Sequence, residues 1–380
     1  MRVLHFYSTY YPDTFGGAEQ AIFQICESVR IHGIESTVLA ISHSPNRESI
    51  SLSNHKVVQT QLNLELASTR FSWNAIIQFI RLSKAHDLVN FHFPWPFADL
   101  CQLISRSRTP YVITYHSDIV KQQLLAKLYS PLMHHFLDGA KVVIATSEQY
   151  ARSSEVLQKY SKKISVVPLA LDPKIFAKPS LNGIEIWRKK LPKRFYLFIG
   201  VLRYYKGLHL LIEAARGASF EIIIAGSGPL EAQLKTLAIG LQNVRFVGKI
   251  SEDDKAALLQ LAYGYTFPSH LRSEAFGMSL LEASAYSLPM VTLEIDTGSS
   301  LINQNGVTGL VVSKYDQDSE ESTIKALRLA LLKIWMSPDL AAAMGRQAKH
   351  RFDTLFRSEI MGERYTEIYR GVMAGDKSRI

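Results

Sequence analysis

Cysteines and long apolar runs are scarce in this chain of 380 residues. The two cysteines, Cys26 and Cys101, are too few for a disulfide framework, and their apolar helical surroundings predict buried thiols in a reducing cytosol. No apolar run approaches the roughly 20 residues that cross a bilayer. The N-terminal stretch turns polar too early for a signal peptide. We therefore expect a cytoplasmic protein.

Motifs of several other functional classes are missing. The sequence has no Gly-x-Gly-x-x-Gly, which argues against a dinucleotide-binding loop, and no Gly-x-Ser-x-Gly, which argues against a hydrolase with a nucleophile elbow. No Cys-x-x-Cys or His-x-x-x-His cluster indicates a metal site, and we expect no bound metal. Zinc-finger, RRM and KH signatures are also missing, so nucleic acid is not an expected partner.

A positive net charge is what the composition does offer. Lysine and arginine number 43 against 34 acidic residues, which gives a formal charge of +9 spread over both halves of the chain. Such an excess favours anionic partners such as nucleotide phosphates and acidic lipid headgroups. Residues 121–135 form a helical pattern, apolar on one side and basic on the other, that Pro131 interrupts. This segment predicts a peripheral contact with an anionic membrane surface, with a core-facing helix as the alternative.

Buried strands alternate with amphipathic helices in two separate series. In the first, a strand at residues 2–7, a helix ended by Gly33 and a strand at residues 36–41 form a βαβ unit. The second opens with a strand at residues 195–200 and a helix at residues 207–216. The pattern predicts an α/β fold with two doubly wound parallel sheets. The other predicted strands fall at residues 88–91, 111–115, 142–146, 164–168, 221–225, 244–247, 264–267, 289–293 and 309–312.

A polar stretch at residues 172–194, rich in Lys and Pro, separates the two series. It predicts an N-terminal domain over residues 1–175 and a C-terminal domain over residues 176–354. The chain ends in a helical pattern over residues 341–372 that carries spaced aromatic side chains.

Two carboxylates eight positions apart mark the C-terminal series. Residues 274–282 read Glu-Ala-Phe-Gly-Met-Ser-Leu-Leu-Glu, with Glu274 and Glu282 at the two ends. The turn at Gly277 predicts the N-terminus of a helix over residues 278–287, where unpaired N–H groups and the positive end of the helix dipole bind phosphate. One carboxylate lies before that end and the other lies inside the helix. This layout suits a ligand made of a sugar, two phosphates and a ribose.

Two cations and a glycine pair accompany this motif. Residues 200–207 follow a predicted strand and open a helix, which places Arg203 and Lys206 at the carboxyl edge of the sheet, where doubly wound folds bind ligands. Two cations suit a diphosphate whose negative charge grows as a glycosidic bond breaks.

Gly16 and Gly17 lie between the first strand and the first helix, where paired glycines either let the backbone approach a ligand closely or form a plain turn.

Together these motifs resemble those of the retaining glycosyltransferases of family 4, which have the GT-B fold of two Rossmann-like domains facing a central cleft. The resemblance covers nearly the whole chain, and the matching motifs occur in order. Family members commonly carry Gly-Arg-Leu-x-x-x-Lys-Gly where this chain reads Gly-Val-Leu-Arg-Tyr-Tyr-Lys-Gly. Val201 therefore occupies the usual arginine position, and we expect Arg203 to substitute for that arginine.

The resemblance implies which residues form the site. Those implied at the reacting sugar and the departing diphosphate are Glu274, Lys206, Arg203 and His116. Those implied around the donor nucleotide are Gly16, Gly17, Phe276, Gly277, Met278, Ser279, Glu282, Gly298 and Ser299. In this scheme Glu274 contacts the sugar, the backbone amides at residues 276–279 contact the diphosphate, and Glu282 holds the ribose hydroxyls. The last helix, at about residues 355–380, is implied to return to the N-terminal domain.

The resemblance also implies a reaction: retaining transfer of a sugar without a metal or cofactor, by front-face attack of an acceptor hydroxyl. Residues 200–207 and 292–310 are most similar to bacterial mannosyltransferases of O-antigen or exopolysaccharide assembly. GDP-mannose is the implied donor, and a polyprenyl-diphosphate-linked glycan at the inner membrane is the implied acceptor. Three alternatives stay open: a UDP-sugar donor such as UDP-glucose or UDP-N-acetylglucosamine, a sugar-nucleotide epimerase, and a non-catalytic nucleotide-sugar binder.

Overall fold

The computed structural model describes residues 1–46, 49–66, 69–119, 123–174, 179–313 and 319–375. It divides into two compact units. One is formed by Met1–Ala170 together with Ser358–Ile380, and the other by Leu171–Arg357. The predicted domain limits, at residues 175 and 354, lie a few positions from these divisions.

A largely parallel sheet forms the first unit. The strands of this unit are β1 (Arg2–Phe6), β2 (Glu35–Ser42), β3 (Ile50–Leu52), β4 (His55–Gln61), β5 (Leu64–Leu66), β6 (Thr69–Phe71), β7 (Leu88–Phe93), β8 (Tyr111–Tyr115), β9 (Val142–Ala145) and β10 (Ile164–Val166). Eight of them form one sheet in the order β10-β9-β8-β7-β1-β2-β4-β3, in which β3 runs antiparallel to β4. The pair β5 and β6 forms a separate antiparallel hairpin. The central strands are buried along their length, as parallel strands covered by helices on both faces are.

The helices of this part of the chain are α1 (Gly17–Arg30), α2 (Trp73–Ala85), α3 (Pro96–Ser105), α4 (Gln123–Gly139), α5 (Glu148–Ser153) and α6 (Glu155–Gln158). The expectation that Pro131 interrupts its helix is wrong, because α4 continues through it. A proline inside a helix removes one hydrogen bond, at a cost of about 3 kcal/mol. Packing of α4 on α3, which includes a hydrogen bond from Tyr129 to the buried Asp99, offsets that loss. Residues 121 and 122 of the predicted membrane segment lie outside the described residues.

The second unit contains a fully parallel sheet. Its strands are β11 (Tyr196–Ile199), β12 (Ile222–Ala225), β13 (Val244–Gly248), β14 (Gly264–Phe267), β15 (Met290–Leu293) and β16 (Gly309–Val312), paired in the order β13-β12-β11-β14-β15-β16. Its helices are α7 (Leu181–Lys190), α8 (Leu208–Ala215), α9 (Glu231–Leu237), α10 (Glu252–Leu261), α11 (Met278–Ala285), α12 (Ser299–Ile302), α13 (Glu320–Trp335) and α14 (Pro338–Leu355). Strand β12, which reads Ile-Ile-Ile-Ala, is completely buried and contributes Ile222 and Ile224 to the hydrophobic core of this unit.

The last helix, α15 (Ser358–Ala374), belongs to the first unit and packs on α1. Gly362 permits this packing, because a Cβ at that position would lie 2.5 Å from the carbonyl oxygen of Ser28. Two tyrosines of α15 bond to the sheet. Asn90 donates to the Tyr369 hydroxyl at 2.8 Å, and the hydroxyls of Thr114 and Tyr365 lie 3.2 Å apart. The final helix therefore covers the same face of the sheet that carries Asn90 and Thr114.

Candidate active site

The C-terminal unit places two predicted loops where its strand order reverses. The chain runs outward in opposite directions from the neighbouring strands β11 and β14. Doubly wound folds bind ligands at the carboxyl ends of the strands at such a point. Residues 200–207 follow β11, and residues 268–277 follow β14. The two loops touch, since the amide of His270 donates to the carbonyl of Tyr205 at 3.0 Å.

Gly207 sets the close packing of these loops. Its φ is +68°, in the left-handed region that favours glycine. A Cβ at this position would lie 1.9 Å from the carbonyl oxygen of Pro268, so any side chain would push the loops apart.

An ion pair joins the same two loops, because Nζ of Lys206 donates to Oε2 of Glu274. The two side chains are only 11% and 13% exposed. Burial acts to lower the pKa of Lys206, but the Glu274 carboxylate and Tyr205 outweigh burial, so the pKa lies above its ordinary value. Lys206 is therefore an ammonium at neutral pH. It has further N–H groups, and Glu274 has a second oxygen, with which to bind a ligand.

Arg203 precedes a short 3-10 turn, Tyr204–Lys206, and is exposed. No hydrogen bond or ion pair joins its guanidinium to another residue in the described part of the chain, although its charge acts on Lys206 and opposes the rise in that residue's pKa. Val201, at the family's arginine position, is 42% exposed. Arg203 therefore supplies a second cation near Lys206. That Arg203 takes the role of the arginine that the family carries at position 201 stays a prediction.

Helix α11 begins as the motif predicts. Its N-cap, Gly277, has φ +94° and ψ +63°, a left-handed conformation that directs the chain from the loop into the helix. The first N–H groups of a helix have no partner within it, and Met278 and Ser279 supply two of them here. The side chain of Met278 is buried, and the Ser279 hydroxyl bonds to Tyr265. At these positions the backbone is therefore what remains for an anion to contact.

The remaining donor-loop residues pack against each other. A Cβ on Gly298 would lie 2.3 Å from Cδ2 of Phe276, and the Gly298 amide donates to the carbonyl of Ala275 at 2.8 Å. Phe276 is buried and packs edge-on to Phe356. Ser299 is buried too, and its hydroxyl lies 3.2 Å from that of Thr297. These side chains position the loop and leave backbone groups for a ligand.

Glu282 lies inside α11 and pairs with a lysine that sequence reasoning missed. Nζ of Lys255, on α10, lies 2.8 Å from Oε1 of Glu282 and 2.6 Å from Oε2 of Glu252. The Glu282 side chain is 5% exposed. Burial acts to lower the pKa of Lys255, but the two carboxylates outweigh it and raise the pKa. No motif signals this pairing, because it depends on how α10 and α11 pack.

The glycine pair of the N-terminal unit lies at the reversal of its own sheet, between the neighbours β1 and β7. Gly16 is the N-cap of α1, and Gly17 is its first residue. The carboxylate of Glu19 folds back over this turn: a Cβ on Gly16 would lie 2.4 Å from Oε2, and Oε1 accepts from the hydroxyl of Thr9 at 2.8 Å. Burial, and then the charge of Glu19, raise the pKa of the nearby Tyr7.

His116 follows β8 directly, and its amide donates to the carbonyl of Phe93 at 2.9 Å. Its ring lies 6.2 Å from that of Tyr7, centroid to centroid, so the histidine and the glycine turn share a neighbour within this unit. Nε2 lies 2.9 Å from Nδ1 of His92. Removal of the ring from bulk water lowers the pKa of His116 to about 4, so the imidazole is neutral at physiological pH.

The described residues contain neither a metal-binding cluster nor a membrane-spanning helix. No group of three or more His, Cys, Asp or Glu side chains there could hold a metal ion. An Asp-Gln-Asp triplet at residues 316–318, which the sequence-based expectation of no metal site does not consider, lies outside the described residues. Among the described helices, none combines the length and the apolar character that a bilayer crossing requires.

Two protein families match the chain. The family described as Glycosyltransferase Family 4 matches residues 15–175, and the family described as Glycosyl transferases group 1 matches residues 183–351. The first match contains the glycine pair and His116. The second contains both loops at the strand reversal of the C-terminal unit and all of α11.

Full-length relatives agree with these matches. The D-rhamnosyltransferase WbpZ of Pseudomonas aeruginosa is 47% identical, over 94% of this chain and 92% of its own. The O-antigen chain mannosyltransferase C of Escherichia coli is 40% identical, over 97% of this chain and 98% of its own. The structure of Anabaena HepE in complex with UDP-glucose is 17% identical and superposes with a TM-score of 0.75, over 98% of this chain and 100% of that chain. The chain therefore belongs to the family 4 glycosyltransferases and has their GT-B fold of two Rossmann-like units.

Proposed function

We propose that this glycosyltransferase transfers mannose from GDP-mannose to a polyprenyl-diphosphate-linked glycan in O-antigen assembly, with retention of configuration and without a bound metal. The observation that carries the proposal is the ion pair of Lys206 and Glu274 beside the N-terminus of α11. It brings a cation, an anion and free backbone donors together at the strand reversal.

The relatives support a sugar of manno configuration and a role in O-antigen assembly. One is an O-antigen mannosyltransferase, and the other is a D-rhamnosyltransferase. D-Rhamnose is 6-deoxymannose, so the two sugars differ only by the hydroxyl on C6. A donor pocket shared by such relatives recognises the hydroxyls of C2 to C4. UDP-glucose, which differs from GDP-mannose in both base and C2 configuration, is the competing donor.

The chemistry follows from the charges of the two loops. As the bond from C1 of the sugar to the diphosphate oxygen breaks, the leaving GDP gains negative charge. The Lys206 ammonium, the Arg203 guanidinium and the amides at the start of α11 stabilise that charge. Glu274, held by Lys206, uses its remaining oxygen to accept a bond from a sugar hydroxyl. The acceptor hydroxyl bonds to C1 on the face that GDP leaves and passes its proton to the departing phosphate oxygen.

Glu282 binds the ribose in this scheme. Lys255 neutralises the charge of Glu282 and holds its carboxylate in place. Each carboxylate oxygen can accept more than one hydrogen bond, so room remains for a ligand donor. The ribose hydroxyls donate to it. Because Lys206 and Arg203 supply positive charge at the diphosphate, we propose that no divalent metal is needed for turnover.

Product analysis tests this proposal. Purified protein in excess EDTA would be incubated with GDP-mannose and a panel of short-chain lipid-diphosphate glycans, and GDP release and the anomeric configuration of the product would be measured. Acceptor-dependent GDP release with an α-linked product supports retaining transfer. An isomerised nucleotide sugar indicates an epimerase, binding without turnover indicates a non-catalytic protein, and turnover that returns only when metal is added overturns metal independence.

We also propose that the enzyme works at the cytoplasmic face of the inner membrane, where its lipid-linked acceptor lies. The net charge of +9 and the exposed Leu128 on α4 support a peripheral contact with anionic lipid. Flotation with vesicles tests this part: co-flotation with anionic but not neutral vesicles at low salt is expected, and no flotation with either contradicts it.

A further inference from the structure

Three histidines, His5, His92 and His116, form a continuous hydrogen-bonded row in the N-terminal unit. Nδ1 of His5 lies 3.0 Å from Nε2 of His92, and Nδ1 of His92 lies 2.9 Å from Nε2 of His116. Neighbouring rings are within 22° and 19° of parallel. His5 and His92 are completely buried, whereas His116 at the end of the row is partly exposed.

Strand register creates this row. His5 on β1 pairs with Asn90 on β7, and His92 on β7 pairs with Thr114 on β8. His92 lies two residues beyond Asn90, and His116 lies two residues beyond Thr114. Because side chains alternate along a strand, all three histidines share one face of the sheet. Each step to the next strand moves the row two residues closer to the carboxyl edge.

The three rings are neutral in the folded protein. Burial, followed by the charges of His55 and His86, lowers the pKa of His5 to about 3. Burial, followed by His116 and His5, places the pKa of His92 well below its usual range. A neutral imidazole has one N–H donor and one lone pair. Each of the two bonds in the row therefore needs an N–H from one ring and a lone pair from the next.

Two arrangements satisfy both bonds, and they differ at the ends of the row. If all three rings carry the proton on Nδ1, the buried end is the lone pair of His5 Nε2, and His116 presents an N–H at the exposed end. If all carry it on Nε2, His5 has a buried N–H, and His116 presents a lone pair. Nε2 of His5 is buried and has no hydrogen-bond partner among the described residues. A buried N–H without a partner is rarer than an unpaired acceptor, which favours the first arrangement.

We infer that His5 and His92 are positioning residues that hold His116 in the Nδ1–H tautomer, so that the Nδ1–H group of His116 is always a hydrogen-bond donor. This role rests on the proposed function: the donor serves a hydroxyl of a sugar substrate. Nδ1 of His116 makes no hydrogen bond to another residue in the described part of the chain, so it remains available. A free imidazole prefers the Nε2–H form, and the tautomer is therefore set by the row and not by the residue itself.

The tautomers are measured directly on the free protein. Long-range proton–nitrogen correlation spectra of the full chain, labelled with nitrogen-15 histidine, distinguish a protonated from an unprotonated ring nitrogen, and single substitutions assign the signals. We expect His5, His92 and His116 all to carry the proton on Nδ1. Protonation of all three on Nε2, or an averaged signal for His116, would overturn the inference.

Two substitutions in the row, one of His5 and one of His92, separate positioning from packing. His5→Asn places an amide N–H where Nδ1–H lies, so His92 and His116 should keep their tautomers and turnover should stay within about twofold of wild type. His92→Phe removes the N–H that Nε2 of the partly exposed His116 accepts, so we expect His116 to return to the Nε2–H form of a free imidazole and turnover to fall roughly fivefold, the equivalent of one hydrogen bond. An Nδ1–H tautomer of His116 in a folded His92→Phe protein would contradict the inference.

A matched control is His86→Gln, which alters a partly buried histidine of the same unit that bonds to Leu82 and Thr37. It should leave the three tautomers and turnover unchanged. The spectra need no substrate, so they separate the two proposals. The predicted tautomers in a protein that turns over no nucleotide sugar would refute the proposed function alone, whereas turnover with Nε2–H on His116 would refute the inference alone.

Discussion

Removal of the Lys206 ammonium should separate the structural and the chemical roles of the ion pair with Glu274. The two side chains are 11% and 13% exposed, so Lys206→Met leaves a carboxylate that is largely buried and has lost its counter-charge. Loss of one partner of a buried pair costs about 3–5 kcal/mol. For a unit of this size each kcal/mol corresponds to roughly 2–4 °C in the unfolding midpoint, so we expect a fall of about 10 °C.

Glu274→Gln combined with Lys206→Met should recover most of that stability, because the double variant has no charge left to compensate. Turnover should not recover. Loss of a donor that stabilises the departing diphosphate costs about 10²–10³ in kcat. The control is Lys235→Met, which breaks an exposed pair with Glu231 on α9 and should change stability by less than about 1 kcal/mol.

Thermal unfolding and GDP release from GDP-mannose measure the two roles. A folded Lys206→Met protein with wild-type kcat would refute the leaving-group assignment. Independent effects of the two substitutions on the unfolding midpoint would instead show that the pair contributes nothing to stability in solution.

Three further predictions concern the nucleotide, the helix N-terminus and acid stability. Glu282→Ala should weaken GDP binding about tenfold or more in calorimetry, and Lys255→Met should weaken it less; equal affinities for wild type and both variants would remove the ribose role. Gly277→Ala forces a Cβ into a left-handed residue at a cost of about 1–2 kcal/mol, and should lower both the unfolding midpoint and donor affinity; an unchanged midpoint would contradict it. Burial lowers the pKa of His5 from its ordinary value of 6.5 to about 3 in the folded protein, so the unfolded chain binds more protons between these two pH values. The free energy of unfolding should reach its full value above pH 6.5 and should fall toward pH 3 by up to about 1.4 kcal/mol per pH unit. The His5→Asn variant should show a shallower slope when the free energy of unfolding is measured against pH.

The alternation of apolar strands and amphipathic helices was enough to predict the fold of each unit. The central parallel strands, such as β7, β8 and β12, are fully buried, so they read as continuous apolar runs that are hard to miss. The parallel strand β4 mixes buried and exposed residues, and the pattern did not predict it. The strands β3, β5 and β6 have three residues each and show no period. Helix α7 is polar, and its start depends on bonds from Ser180 to Asp253 on another helix. Such elements are set by tertiary contacts that a local pattern does not contain.

The site divides in the same way. Arg203 and Lys206 lie in the loop after β11, and Glu274 and the start of α11 lie in or at the end of the loop after β14, so linear motifs could name them. The partners of these residues come from elsewhere in the fold. Lys255 reaches Glu282 from another helix, and His92 reaches His116 through strand register. A motif therefore names the groups that we propose to contact a ligand and not the groups that hold them in place.

The most direct measurement of the proposed activity is a calorimetric titration of the purified protein, in EDTA, with GDP-mannose and UDP-glucose in parallel. We predict selective binding of GDP-mannose without added metal, which would direct the search for the acceptor toward mannose-containing lipid-linked glycans. A preference for UDP-glucose would contradict the proposed donor, although the family and the fold would stand.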